Sequence, residues 1–238
     1  MPLCVYAIVA RPFRRGTSIR ANGARVRPVN ARATTAVVSE CKGPPSPTVR
    51  ALRGHDLVVR RIAKVAPAIL PVRFGTLVDS EQSLITLLDG RSEDLQKALA
   101  LVDQHCQMTL RLFAVAGAAE PPGHTDTRTD AEAVEPADVA IAVTRPGTSY
   151  LARRARAQAV AQSAPELEPL REAFASIVAA ERIARHDQGP LILTAYHLIP
   201  RSAVTTYRRL LRRHAAGLRN RAVVSGPWPP YAFVPEMR

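Results

Sequence analysis

The sequence predicts an α+β protein made of two α+β domains, and three observations support this class. Strand-like and helix-like segments interleave on both sides of one long acidic segment. They lack the regular strand–helix rhythm and the glycine-rich turns of a nucleotide-binding parallel sheet. At 238 residues, 47% of them hydrophobic, the chain is long enough for two modest cores. We place the domains at residues 1–104 and 105–225.

The first domain is predicted to begin with two apolar strands and a helix. LCVYAIVA (3–10) and TTAVVSE (34–40) are the strands, and a connection rich in arginine, glycine and asparagine joins them. After the turn GPPSP (43–47), apolar residues recur at helical spacing until Pro67 ends the helix. These apolar residues are Val49, Leu52, Val59, Ile62 and Ala66.

The segment AILPVRFGTL (68–77) is predicted to be a buried strand, with an edge or a bulge at Pro71. Phe74 would lie in the core, Arg73 would point to the opposite face, and Gly75 would form a turn. DSEQ (79–82) then predicts a helix start with Asp79 as its cap, and a second helix follows Gly90.

The second domain, residues 105–225, opens with a clean alternation from Cys106 to Val115, which predicts a half-buried strand. Residues 117–138 are acidic and rich in proline, glycine, threonine and alanine, so we predict a mobile loop. The remaining pattern predicts helices at 148–162, 166–185 and 201–216, and strands at 191–199 and 221–225.

The stretch GPWPPYAF (226–233) opens the last segment, residues 226–238, which is predicted to be a stiff extended strap. Its three prolines remove backbone donors and fix φ, and each restricts the preceding residue to extended geometry. Trp228, Tyr231 and Phe233 either dock on this chain or are offered to a partner. We favour docking, with Trp228 as an anchor.

Composition argues against several classes of protein. The three cysteines show no CxxC spacing, which is not typical of a disulfide framework or a zinc site. No apolar run reaches the roughly 20 residues that span a bilayer, so we expect a soluble cytoplasmic protein. Motifs of nucleotide-binding proteins, metalloenzymes and hydrolases are absent from the sequence. In the pairs His55–Asp56 and His186–Asp187 the two side chains would point in different directions on a helix, so the aspartate cannot orient its neighbouring histidine as a general base. We therefore predict no enzyme, no cofactor and no metal.

The net charge of +13 leaves one alternative function open. In YRRLLRRH, within the predicted helix 201–216, four arginines form one stripe that could meet the phosphates of a nucleic acid. The alternative reading is a solvated face or a face for an acidic partner, since no nucleic-acid-binding signature accompanies it. The four residues are Arg208, Arg209, Arg212 and Arg213.

Four segments, in order and spacing, resemble the gas vesicle protein F/L family (GvpF/GvpL) over nearly the whole chain. They are CVYAIVA, HDLVVRRIAKVAPAILPVRFGTL, PGTSYLARRA and GPWPPYAFV, of which LPVRFG and GPWPPYxF are the most specific. The resemblance implies a non-catalytic accessory or minor structural protein that binds the small hydrophobic shell protein and supports gas vesicle assembly. It implies other accessory proteins as further partners, and no specific nucleic acid, membrane or small-molecule substrate.

The resemblance also implies that the second domain is a modified ferredoxin-like fold and that the strap lies between the domains. The arginine-rich connection (11–32) and the acidic loop look specific to this member. An unpaired buried charge is costly, so Arg73 is predicted to pair between the domains or with the strap, with a direct shell-protein contact as the alternative. The candidate partner-binding or inter-domain residues are Arg73, Phe74, Trp228, Tyr231, Phe233, Arg208 and Arg212.

Overall fold

Two antiparallel sheets organise the chain in the computed structural model, which describes residues 1–11, 20–21, 24–115 and 164–235. The first sheet has the order β4–β5–β1–β6, and β7 also pairs with β1. A separate short ladder joins β2 and β3. The strands are β1 (Leu3–Ala10), β2 (Arg20–Ala21), β3 (Ala24–Arg25), β4 (Arg27–Asn30), β5 (Thr34–Glu40), β6 (Ile69–Pro71) and β7 (Leu77–Val78).

Helices cover both faces of the first sheet. On one face α1 (Val49–Val65) packs Val59 and Ile62 against β1, β5 and β6. On the other face α2 (Glu81–Gly90) and α3 (Ser92–Val102) contribute leucines to a second core. Because both faces are covered, β1 and β5 are buried along almost their whole length rather than alternating between core and solvent.

The second sheet has the order β11–β8–β10–β9, and its core lies against two helices. In chain order, and apart from short 3-10 turns, the described residues of this region (105–115 and 164–228) form a strand, a helix, two strands, a helix and a strand. Its elements are β8 (His105–Phe113), α4 (Glu168–Phe174), β9 (Ala180–Arg185), β10 (Leu191–Pro200), α5 (Val204–His214) and β11 (Arg221–Trp228). The predicted α+β class is confirmed as an arrangement of two antiparallel sheets with helices.

Around the first sheet, one strand was not predicted and two expectations need correction. Residues 27–30 form β4 within the connection rich in arginine, glycine and asparagine, because β5 offers them a free strand edge. The cap of α2 is Ser80, whose Oγ accepts from the Ser83 backbone N–H at 3.1 Å, rather than Asp79. On α1, Val49 and Leu52 are exposed, and the buried face is carried by the second half of the helix.

The second sheet differs from the predictions in two places. The predicted helix 166–185 breaks after Phe174, and its last third forms β9, since pairing with β10 outweighs the helix propensity of AERIAR. The predicted half-buried strand, β8, is buried on both faces at Gln107 and Thr109. The predicted loop 117–138 and helix 148–162 lie outside the described residues.

Candidate functional site

The chain's most unusual motif, GPWPPYAF, leads to a surface where the C-terminal segment meets α1, β8 and α5. We define the C-terminal segment as residues 226–235. It begins as the end of β11, with Trp228 opposite Gln107, and continues through two buried prolines into a 3-10 turn at Tyr231–Phe233. The strand thus runs three residues further than the predicted 221–225, into the predicted strap.

Gly226 sets the path of the C-terminal segment. Its φ is +118°, in a region that residues with a side chain rarely adopt. A Cβ atom at this position would lie 2.8 Å from the backbone oxygen of Gln107 and 3.1 Å from Sδ of Met108. Both the positive φ and the close approach to β8 therefore require glycine at position 226.

Phe233 is the buried anchor of the segment. It is only 2% exposed and belongs to the same buried cluster as Leu70 of β6 and Leu198 of β10. One residue earlier, the backbone N–H of Ala232 donates to Oε1 of the buried Gln107 at 2.8 Å. The C-terminal segment therefore makes contacts with both sheets.

Trp228 and Tyr231 meet a pair of charged residues on α1. The Arg60 guanidinium lies 4.3 Å from the centroid of the half-buried Trp228 ring, a cation–π geometry. Arg60 Nε also donates to Asp56 Oδ2 at 2.7 Å, and the Tyr231 hydroxyl donates to Asp56 Oδ1 at 3.1 Å. Burial, and then the negative charge of Asp56, raise the pKa of the Tyr231 hydroxyl. The phenol therefore stays protonated and available as a donor.

The arginine stripe of α5 divides into two parts. Arg208 donates to the backbone oxygen of Gly226 at 2.6 Å, so it holds the start of the C-terminal segment. Arg209, Arg212 and Arg213 are exposed, and no carboxylate in the described part of the chain forms an ion pair with them. The stripe is therefore partly structural and partly a cationic face that the described residues leave without an ion pair.

Arg73 and Phe74 are less buried than predicted. Arg73 is exposed and forms no ion pair with a described residue, so the expectation that it lies in a buried strand is wrong, whereas its pairing between the domains or with the strap stays a prediction. The reason is that β6 ends at Pro71, and the next residues turn outward through Gly75 at φ +84°. Phe74 is half-buried, with its ring edge-on to His55 at 5.6 Å between centroids.

A buried polar cluster in the second sheet escaped the sequence analysis. His197 is almost fully buried, and its Nε2–H donates to Glu181 at 2.9 Å while its Nδ1 is hydrogen-bonded to the Tyr207 hydroxyl at 2.6 Å. This hydrogen bond from His197, aided by nearby Arg171 and opposed by burial, lowers the pKa of Glu181. Phe174 stacks on Tyr207 at 4.5 Å. A cavity of about 150 Å³ lies beside the cluster.

The cluster satisfies its own polar groups. No buried side-chain nitrogen or oxygen among the described residues lacks a hydrogen-bond partner. Within the same residues there is no group of three or more histidine, cysteine or acidic side chains that could hold a metal ion. The helices that the structure describes include none long and apolar enough to cross a membrane.

Sequence reasoning singled out the aromatic residues of the C-terminal segment but not their partners. Asp56 and Arg60 stand at i and i+4 on a predicted helix, a spacing that indicates an ion pair. Gln107 carried no such signal, because a glutamine in an alternating strand is ordinarily assigned to solvent.

Comparisons with known proteins identify relatives along nearly the entire chain. The family model described as "Gas vesicle synthesis protein GvpL/GvpF" matches residues 3–235. The gas vesicle protein GvpF from Anabaena sp. PCC7120 has a crystal structure that aligns with a TM-score of 0.72 at 16% identity, covering 100% of this chain and 97% of that one. GvpF from Microcystis aeruginosa aligns with a TM-score of 0.72 at 14% identity, covering 98% of each chain.

At such low identity the two crystal structures demonstrate a shared fold. No curated protein sequence matches significantly. None of these comparisons supports the nucleic-acid-binding alternative based on the arginine stripe.

Proposed function

The chain belongs to the GvpL/GvpF family of gas vesicle synthesis proteins, and from this premise we propose that it binds the small hydrophobic shell protein and supports gas vesicle assembly. It acts without catalysis, as an accessory or minor structural protein in the cytoplasm, associated with the vesicle and with other accessory proteins. The observation that carries the proposal is the family match over residues 3–235, which leaves little of the chain for an unrelated activity.

The proposed mechanism is docking through exposed apolar and cationic side chains. A small hydrophobic shell protein presents apolar surface that aggregates in water unless it is covered. This chain offers apolar side chains and arginines that no described carboxylate pairs, a combination that covers apolar surface while keeping the complex hydrated. Among the residues identified from the sequence, Arg73, Phe74, Trp228, Tyr231 and Arg212 keep exposed atoms for such a contact.

The proposed architecture assigns the remaining two candidates a structural role. We infer domains at 1–104 and 105–225, with residues 226–238 as a strap between them. The contacts of Phe233 and Arg208 support the strap, since one side chain is buried beside both sheets and the other holds Gly226. The strand–helix–strand–strand–helix–strand order of the second domain supports a modified ferredoxin-like fold.

Co-expression with the shell protein tests this function. We expect the shell protein to co-purify with this chain or to rise in the soluble fraction, because its apolar surface is covered. A soluble protein of similar size and net charge, expressed in place of this chain, controls for a general effect of a basic partner. If the shell protein stays insoluble and does not co-purify, the proposed function is wrong.

A further inference from the structure

The outward face of α1 combines one exposed leucine, Leu57, with cations. Four of the nine large hydrophobic residues that are exposed in the described part of the chain lie on this one helix. Only Leu57 lies on the outward face, opposite the buried residues Val59 and Ile62 on the helix circumference. Val49 and Val65 lie at the two ends of the helix toward its sides, and Leu52 lies on the same side as Val59.

Cationic side chains surround Leu57. Arg53 and Arg61 stand at i−4 and i+4, and Arg50 and Lys64 stand one further turn away on the same face. All four are exposed, and no described carboxylate forms an ion pair with them. This face of α1 therefore carries positive charge that the described residues leave uncompensated.

The only acidic residue of α1 is already engaged. Asp56 accepts hydrogen bonds from both Arg60 and Tyr231, so it does not neutralise the surrounding arginines. Through these contacts the face is continuous with Trp228 and Tyr231 of the C-terminal segment, both of which keep exposed surface. Arginine, tryptophan and tyrosine are the residue types enriched among interface hot spots.

We propose that this face, which we call the α1 face, docks an amphipathic helix of a partner protein whose apolar stripe is bordered by carboxylates. We define it by Arg53, Leu57, Arg61, Trp228 and Tyr231. Leu57 contacts the apolar stripe, and the arginines pair with the bordering carboxylates. The identification of the partner as the shell protein rests on the proposed function, whereas the chemistry of the surface does not.

Two other occupants fit the surface less well. Insertion into a lipid surface needs a continuous apolar face, and α1 has turned that face toward its own core, leaving Leu57 enclosed by cations. A second copy of this chain would bring a net charge of +13 toward another +13, which opposes self-association through a cationic face. An acidic amphipathic helix has neither disadvantage.

Matched variants of the full chain test the proposal. Leu57→Asp and the pair Arg53→Glu/Arg61→Glu alter the α1 face, and both sites are exposed enough for the fold to persist. Leu87→Asp on α2 is the apolar control, since Leu87 is 46% exposed and Leu57 is 50% exposed. Arg209→Glu/Arg213→Glu on α5 is the control for charge. Circular-dichroism melting of each variant verifies that it is folded.

Two binding measurements separate the inference from the proposed function. The first is co-purification of the shell protein. The second is titration with a synthetic helical peptide that has leucines along one stripe and glutamates on either side of it, and the fluorescence emission of the sole tryptophan, Trp228, reports binding. We expect both α1-face variants to lose at least about tenfold in affinity, a loss typical of a docking hot spot. The two controls should bind like the wild type, and a peptide with lysines in place of glutamates should bind weakly.

Each outcome decides a different point. If the peptide binds and the α1-face variants weaken this binding, but the shell protein does not bind, the α1 face is a docking surface and the shell protein is not its partner. Shell-protein binding that the α1-face variants do not weaken, or no binding of either probe, would overturn the inference. It would also be overturned if the α1-face variants lost only co-sedimentation with phosphatidylglycerol–phosphatidylcholine vesicles, or if they only converted a dimer of the chain to a monomer.

Discussion

Replacing Phe233 by alanine should destabilise the protein more than replacing Trp228, although tryptophan is the larger residue. Phe233 is 2% exposed within a cluster that includes residues of both sheets, so Phe233→Ala removes a fully buried ring and leaves a cavity. Such substitutions lower the free energy of unfolding by about 3–5 kcal/mol. Trp228 is half-buried and contacts Arg60 from one side, so we expect Trp228→Ala to cost only about 1–2 kcal/mol.

Urea unfolding of the wild type and of both variants, monitored by circular dichroism at 222 nm, measures the two differences. For a chain of this size, 1 kcal/mol corresponds to about 2–4 °C in Tm, so thermal melting should separate the variants as well. If Phe233→Ala unfolded at the same urea concentration as the wild type, Phe233 would not be an anchor. If Trp228→Ala were the more destabilised variant, the assignment of the anchor to Phe233 would be wrong.

Three further predictions concern single interactions. Gly226→Ala should lower the free energy of unfolding by about 1–3 kcal/mol, because its positive φ and its close approach to β8 exclude a side chain; a urea midpoint equal to that of the wild type would contradict this. Gln107→Ala should cost a similar 1–3 kcal/mol by leaving the Ala232 backbone N–H without its acceptor, and hydrogen exchange at that amide should accelerate; unchanged exchange would show that another acceptor replaces Gln107. Because the pKa of Glu181 is lowered in the folded chain, its charge stabilises the fold above the unfolded-state pKa of about 4.3, and that contribution disappears as the pH falls through the folded-state value. The Tm difference between the wild type and Glu181→Gln, measured from pH 7 to pH 3, should therefore shrink as the pH falls. A constant difference would show that the ionisation of Glu181, which accepts a hydrogen bond from His197, does not contribute to stability.

Local patterns in the sequence were sufficient for the elements with a strong internal signal. The apolar runs at β1 and β5 predicted strands with the residue bounds that the structure shows, and Pro67 ends α1 as expected. The four segments that include LPVRFG and GPWPPYAF resembled the GvpF/GvpL family in order and spacing, and the family model that matches residues 3–235 confirms this.

Tertiary structure alone decided the features that depend on a partner distant in sequence. AERIAR became β9 because β10 presented an unpaired edge, and Gln107 became buried because the C-terminal segment supplied a donor from 125 residues away. Arg73 became exposed because its strand ended two residues earlier, a boundary that depends on pairing with β1. Hydrophobic periodicity records which way a side chain points relative to its own backbone, but burial and hydrogen bonding depend on what the rest of the chain places against that side chain.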